Sequence, residues 1–204
     1  MKMSDLTYNG YIEMIIGPMF SSKTSTLINR MERYLLAKRK VVAIKWKGDI
    51  RYTNDPVIQT HSRLTCPCIP CTDETLMDIY TNTLCKYDII CIDEACFFKS
   101  IVPFCEMCAN KGHHVIVSTL ISTFQREGFN HILDLIPKCE KIHMLSAVCM
   151  RCFKDGATFT MRTTTDDATE IVGGAETYQS VCRECYFKYV NGPMGEQEQK
   201  DQGQ

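Results

Sequence analysis

The sequence predicts an α/β chain, a parallel sheet with helices packed on it, followed by a small cysteine-rich unit. Three observations predict this class. Short β-branched apolar runs alternate with helical stretches as far as about residue 145, the signature of a parallel sheet. The first run feeds a glycine-led loop, GPMFSSKTS (residues 17–25), that opens a helix. After residue 147 the texture changes to two Cys-x-x-Cys pairs, threonine-rich turns and glycines.

Each element follows from its pattern. YIEMII (residues 11–16) is apolar, ends at Gly17 and reads as a buried strand. From Lys23 the period becomes helical, with Leu27, Ile28, Met31, Tyr34 and Leu35 on one face. That helix is expected to close in a basic last turn, AKRK, against the negative end of its dipole. VVAIK (41–45) is continuous and β-branched, hence a parallel strand, whereas residues 46–71 carry Gly, Asn and Pro and read mostly as loop. YDIICIDE (87–94) and HHVIVSTL (113–120) are further buried strands. Between them residues 101–109 look helical, with Gly112 just past the end. The tail from Asn191 is polar and rich in Gly and Gln, so disorder is expected over 191–204.

Composition excludes several function classes. The 204 residues are 45% hydrophobic and 23% charged, normal for a soluble globular protein. A net charge of −1 gives no basic footprint, so nucleic acid is not an expected partner. No apolar run is long enough to span a bilayer, so no membrane partner is expected. The first ten residues lack an apolar core or cleavage site, which points to a cytoplasmic location. There, 13 cysteines in paired spacings suggest metal more than disulfides.

The chemistry sits in three stretches. A strand, a glycine-led loop and a helix carrying Lys23 and Thr24 form the context that gives a phosphate-loop pattern meaning. Lys23 would neutralise β/γ-phosphates and the Thr24 hydroxyl would ligate Mg²⁺. In IICIDE, Asp93 ends an apolar strand and could hold Mg²⁺ beside the loop. Glu94 follows at once as a candidate general base, with a helix cap or surface charge as the alternative. Cys149, Cys152, Cys182 and Cys185 form two knuckles suited to tetrahedral structural zinc. Cys105 and Cys108 read as buried helix thiols, while Cys66, Cys68 and Cys71 with His61 form a weaker metal candidate.

Several ordered stretches carry a resemblance: IIGPMFSSKTS, DIRY, TH, CIDEACFF, TFQREGF, AVCMRCF and IVGGAETYQSVCRECYFK. In them the chain resembles the type II thymidine kinase family, cellular and poxviral, over most of its length. The resemblance implies a P-loop (RecA-like) α/β domain over residues 1–147. It also implies a zinc ribbon carrying a lasso-like substrate loop over 148–190. It implies transfer of the γ-phosphoryl group of ATP to the 5′-hydroxyl of thymidine, a homotetramer, and inhibition by the triphosphate end product. Carried over by position, Gly17, Pro18, Met19, Phe20, Ser21, Ser22, Lys23, Thr24 and Asp93 would hold ATP, with Mg²⁺ on Thr24 and Asp93. Glu94, Lys23 and Arg51 would be catalytic, Arg51 lying with Asp49 in GDIRY. Met19, Phe97, Leu120, Phe124, Thr160 and Tyr178 would line the base pocket, under a lasso containing Val172, Gly173 and Gly174. The four knuckle cysteines match the family's zinc site.

The chain also departs from that pattern. Ser22 replaces the second glycine of the phosphate loop, and Cys96 stands where the family usually has Gln. Ile121 and Ser122 replace the usual Asp-Gly. A left-handed backbone at Ser22 would cost about 1–2 kcal/mol. The expectation is therefore an active kinase with a raised ATP requirement, the alternative being a catalytically impaired homologue that binds nucleotide as a regulatory protein.

Overall fold

A computed structural model of the chain describes residues 10–49, 55–60, 63–164, 174 and 176–190. The main elements to residue 144 are β1 (Tyr11–Ile16), α1 (Lys23–Leu36), β2 (Val41–Trp46), β3 (Val57–Gln59), β4 (Thr65–Pro67), β5 (Ile69–Cys71), α2 (Asp73–Leu76), α3 (Asp78–Asn82), β6 (Ile89–Asp93), α4 (Ile101–Asn110), β7 (His114–Thr119), α5 (Asn130–Leu133) and β8 (Lys141–Met144). Six strands form one sheet in the order β5-β2-β6-β7-β1-β8, and every pairing in it is parallel. The expected α/β class is the observed one.

Strand alternation splits the core across the two faces of the sheet. Ile12, Met14 and Ile16 pack with Phe104, Cys105 and Cys108 of α4, while Ile15 packs with Leu27, Ile28 and Met31 of α1. Because β6, β7 and β1 are covered on both faces, they read as unbroken apolar runs. One charge breaks the pattern. Glu13 of β1 is buried on the α1 face, with His143 Nε2 at 2.9 Å, Arg30 Nη2 at 3.4 Å and His114 Nε2 at 3.5 Å. The Tyr34 hydroxyl lies 3.0 Å from His114 Nδ1 on the far side of that ring.

Two expectations need correction. Helix α1 ends at Leu36, before AKRK rather than within it. Lys38 takes φ 60° and donates its N–H to Leu35 O, while Arg39 N–H reaches Tyr34 O. This Schellman closure uses lysine where glycine is usual. Residues 46–71 also hold more structure than a loop: β3 pairs antiparallel with β4, and β5 extends the sheet beside β2. Pro70 is compatible with β5 because that strand lies at the sheet edge, where one missing N–H leaves no ladder partner wanting.

Beyond residue 144 come β9 (Phe159–Arg162), β10 (Tyr178–Val181) and α6 (Arg183–Val190). The two strands pair antiparallel, and a separate cluster of Ala147, Cys149, Ala157, Met161, Val181 and Tyr186 forms their core. The expected tail at 191–204 lies outside the described residues. Among the described residues no helix is long and apolar enough to cross a membrane.

Candidate active site

The loop after β1 is held by its own atoms. The Pro18 carbonyl accepts from the Ser21 hydroxyl at 2.8 Å and from Lys23 Nζ at 2.7 Å. Gly17 is a glycine for lack of space: a Cβ there would lie 2.6 Å from Ser21 Oγ and 2.7 Å from Leu145 O. Ser22 is different. It sits at the N-cap of α1 with φ 61° and ψ 27°, a left-handed conformation, and its side chain makes no capping bond. Its carbonyl instead accepts from the Thr26 N–H and hydroxyl, both at 2.9 Å. The strain expected of a β-carbon at this position is thus present. Phe20 and Glu94 share the left-handed region, at φ 62° and 53°, so three strained non-glycine residues border one cavity.

That cavity has a volume of about 360 Å³ and is lined by Met19 through Ser25, Asp49, Gln59, Thr60, Asp93, Glu94 and Leu120. Its acidic wall is built by β6. Asp93 ends the strand, accepts from Ser118 Oγ at 2.7 Å, and accepts from Thr24 Oγ1 at 3.1 Å through Oδ2. The Thr24 hydroxyl and the Asp93 carboxylate are both hard oxygen ligands, so the two residues form a donor set suited to Mg²⁺. Glu94 turns away from the strand and remains only 7% exposed, and Lys23 is 8% exposed, so these charges meet in a largely desolvated space. A cation, a carboxylate pair and the N-terminus of α1 on one cavity can bind a polyphosphate and remove a proton beside it.

The residues expected around a base are placed less uniformly. Met19 and Leu120 line the cavity. Phe97 stacks on Trp46, with ring centroids 4.3 Å apart. Thr160 of β9 accepts the Met19 N–H at 3.0 Å, joining the second unit to the phosphate loop. Tyr178 is paired across the strands with Arg162, whose Nη2 donates to its hydroxyl at 3.0 Å, and the same guanidinium lies 3.9 Å from the centre of the Phe124 ring. Gly174 is described, and its N–H donates to Glu176 Oε1 at 2.6 Å. Arg51, His61, Val172 and Gly173 lie outside the described residues. Of the departures, Cys96 is buried off the cavity, and burial pushes its thiol up to about 12.

The four knuckle cysteines converge. Their sulfur atoms all lie within 4.8 Å of one another, and Cys152 and Cys182 are 3.9 Å apart. Tetrahedral zinc with thiolate bonds near 2.3 Å needs sulfurs about 3.8 Å apart, so the set fits. Burial pushes the Cys149 thiol up, but the N–H groups of Cys152, Cys182 and Arg151 outweigh it and hold it at about 6. Cys185 is pushed up to about 12 by burial and its three sulfur neighbours. Gathering four thiolates is unfavourable without a cation, and a dication removes the penalty. CPCIPC does not gather its thiols: Cys71 packs on the α4 face of the sheet, whereas Cys66 and Cys68 pack on the α1 face.

Ser118, Gln59 and Thr60 were missed as site residues. Thr60 precedes His61 in the TH stretch, which was the available signal. Ser118 and Gln59 reach the site only because the sheet and the β3–β4 hairpin bring them there.

Comparison with known proteins agrees with these motifs. A family model described as Thymidine kinase matches residues 10–186. A thymidine kinase of Sheeppox virus is 48% identical over 178 residues, covering 87% of this chain and 97% of that protein. A Variola virus thymidine kinase is 47% identical with the same coverage. A human protein named cytosolic thymidine kinase is 44% identical over 187 residues, 91% of this chain and 77% of its own length.

Proposed function

The chain belongs to the thymidine kinase family, and from that premise we propose that it phosphorylates thymidine at the 5′-hydroxyl with ATP. The observation that carries this reading is the meeting of Lys23, Thr24, Asp93 and Glu94 on one cavity of about 360 Å³. Glu94 accepts the hydroxyl proton from a position shielded from water. Lys23 exchanges the Pro18 carbonyl for phosphate oxygens, and the N–H groups opening α1 receive the rest of the charge. Magnesium, when bound, neutralises charge on the phosphates; Thr24 and Asp93 are the residues that would hold it. Arg51 adds a further cation on the strength of its GDIRY context.

On this reading Met19, Leu120, Phe97, Phe124, Thr160 and Tyr178, with Val172, Gly173 and Gly174, receive the base. Residues 1–147 bind nucleotide, and 148–190 form the zinc-bearing substrate unit around Cys149, Cys152, Cys182 and Cys185. A homotetramer follows from the resemblance, and the name of the human relative supports a cytosolic site of action.

The test is steady-state turnover with thymidine and Mg·ATP, with a small panel of other deoxynucleosides alongside. Thymidine-dependent ADP release is the expected result. ATP binding without turnover of any deoxynucleoside would replace this reading with that of an impaired, nucleotide-binding homologue.

A further inference from the structure

Arg162 is a charged residue in an unusual place. It ends β9, is 4% exposed, and belongs to neither the phosphate loop nor the zinc knuckles. Burying a guanidinium is unfavourable unless its surroundings compensate, and a short two-stranded pair does not require one. Its neighbours are specific. Nη2 donates to the Tyr178 hydroxyl at 3.0 Å, and the guanidinium carbon lies 3.9 Å from the centre of the Phe124 ring. Phe124 belongs to the segment after β7 and Tyr178 to β10, so one side chain ties together two parts of the chain distant in sequence. The backbone of Phe124 is held separately, its carbonyl accepting from the Tyr186 hydroxyl at 2.9 Å.

The strand adds a second link. Thr160 and Arg162 are two residues apart on β9, so both face the same side. Thr160 accepts the Met19 N–H of the phosphate loop, while Arg162 fixes the two aromatic side chains. One face of a four-residue strand thereby sets the distance between the phosphate-loop backbone and these rings.

We propose that Arg162 is a positioning residue for the nucleoside: it orients Phe124 and Tyr178 as one wall and registers that wall against the phosphate loop. The inference rests on the thymidine kinase reading, which assigns both aromatics to the base. Lysine is an incomplete substitute, because it keeps the cation over a ring but lacks the planar fork that serves ring and hydroxyl together.

The experiment measures Michaelis constants for thymidine and ATP separately, with zinc content and thermal midpoint, for Arg162→Met, Arg162→Lys, Tyr178→Phe and Arg162→Met/Tyr178→Phe. Arg162→Met is expected to raise the thymidine constant about tenfold or more, with the ATP constant within about twofold. Arg162→Lys should recover part of the loss. Tyr178→Phe should raise the thymidine constant less, and should add little in the double variant, where the Arg162–Tyr178 hydrogen bond is already gone. An unmoved thymidine constant in folded Arg162→Met, or parallel rises for both substrates, would overturn the role. If Arg162→Met does not fold, an unmoved constant in Tyr178→Phe overturns it instead. Turnover by the unaltered chain with unaffected variants defeats the positioning role alone, whereas no turnover by the unaltered chain defeats the kinase reading first.

Discussion

At the scale of the residue, Ser22 and Glu94 show how backbone and chemistry are joined. Both occupy left-handed conformations without the freedom of glycine. At Ser22 the β-carbon adds strain but removes no charge, since Lys23 and Thr24 still line the cavity. Ser22→Gly should therefore lower the apparent Michaelis constant for ATP, about tenfold if strain of about 1.4 kcal/mol is released, and leave that for thymidine nearly unchanged. An unchanged or poorer ATP constant would mean that the loop accommodates serine. Glu94→Gln keeps the shape and removes the proposed base, so the rate of the chemical step should fall by about 10²–10⁴-fold while nucleoside binding stays measurable. Single-turnover kinetics distinguishes this from slow product release, and an unaltered chemical rate would demote Glu94 to a structural part.

The β9–β10 pair is the element that most needs external support. Its cluster is small, and the four cysteines bracket it from both sides. Purified metal-replete protein is expected to carry about one zinc per chain, a stoichiometry read by elemental analysis. Cys149→Ser should loosen this pair and raise the thymidine requirement, whereas Cys108→Ser, in a helix buried against the sheet, should do little to it. Equal effects would mean that the wrong thiols were chosen.

Long elements were legible because their periodicity is sustained: β1, β6, β7, α1 and α4 lie within a few residues of where apolar spacing puts them. The strands β3, β4 and β5 were not, since three residues are too few to show a period and prolines and cysteines interrupt the last two. The end of α1 was misjudged because Lys38 adopts a conformation that no glycine announced. Within the site, Lys23, Thr24, Asp93 and Glu94 were legible as a loop pattern and a strand end. Arg162 was not, because in sequence a buried arginine in a threonine-rich stretch looks like a solvated one.

For the whole molecule, the Glu13 cluster links β1, β7, β8 and α1 through one buried carboxylate. Burial alone would push the Glu13 pKa up, but the contacts with His114, Arg30 and His143 outweigh it and hold it below the usual value. A depressed carboxylate stabilises the fold above its unfolded pKa, and that contribution disappears as pH falls through the folded value. Glu13→Gln should lower stability at pH 7, by about 3 kcal/mol if the cluster behaves as a broken buried pair. It should also flatten the loss of stability expected on acidification below the ordinary carboxylate pKa. Urea unfolding across pH checks both, and an acid limb as steep in the variant as in the parent would assign acid sensitivity elsewhere.

The parallel sense of the sheet puts the candidate site at one rim and leaves the other rim remote from it. The phosphate loop, Asp49, Asp93, Glu94 and Leu120 all follow the carboxyl ends of strands. The turns that enter β2, β6 and β7, at residues 37–40, 86–88 and 111–113, lie at the other end, and Lys38, Lys86 and Lys111 are exposed there. For protein engineering these turns are grafting points. A fluorescent domain or affinity tag spliced beside Lys111 would ride on the side of the sheet away from the Lys23–Asp93 cavity. Such a fusion makes the chain a chassis whose cargo and chemistry do not meet.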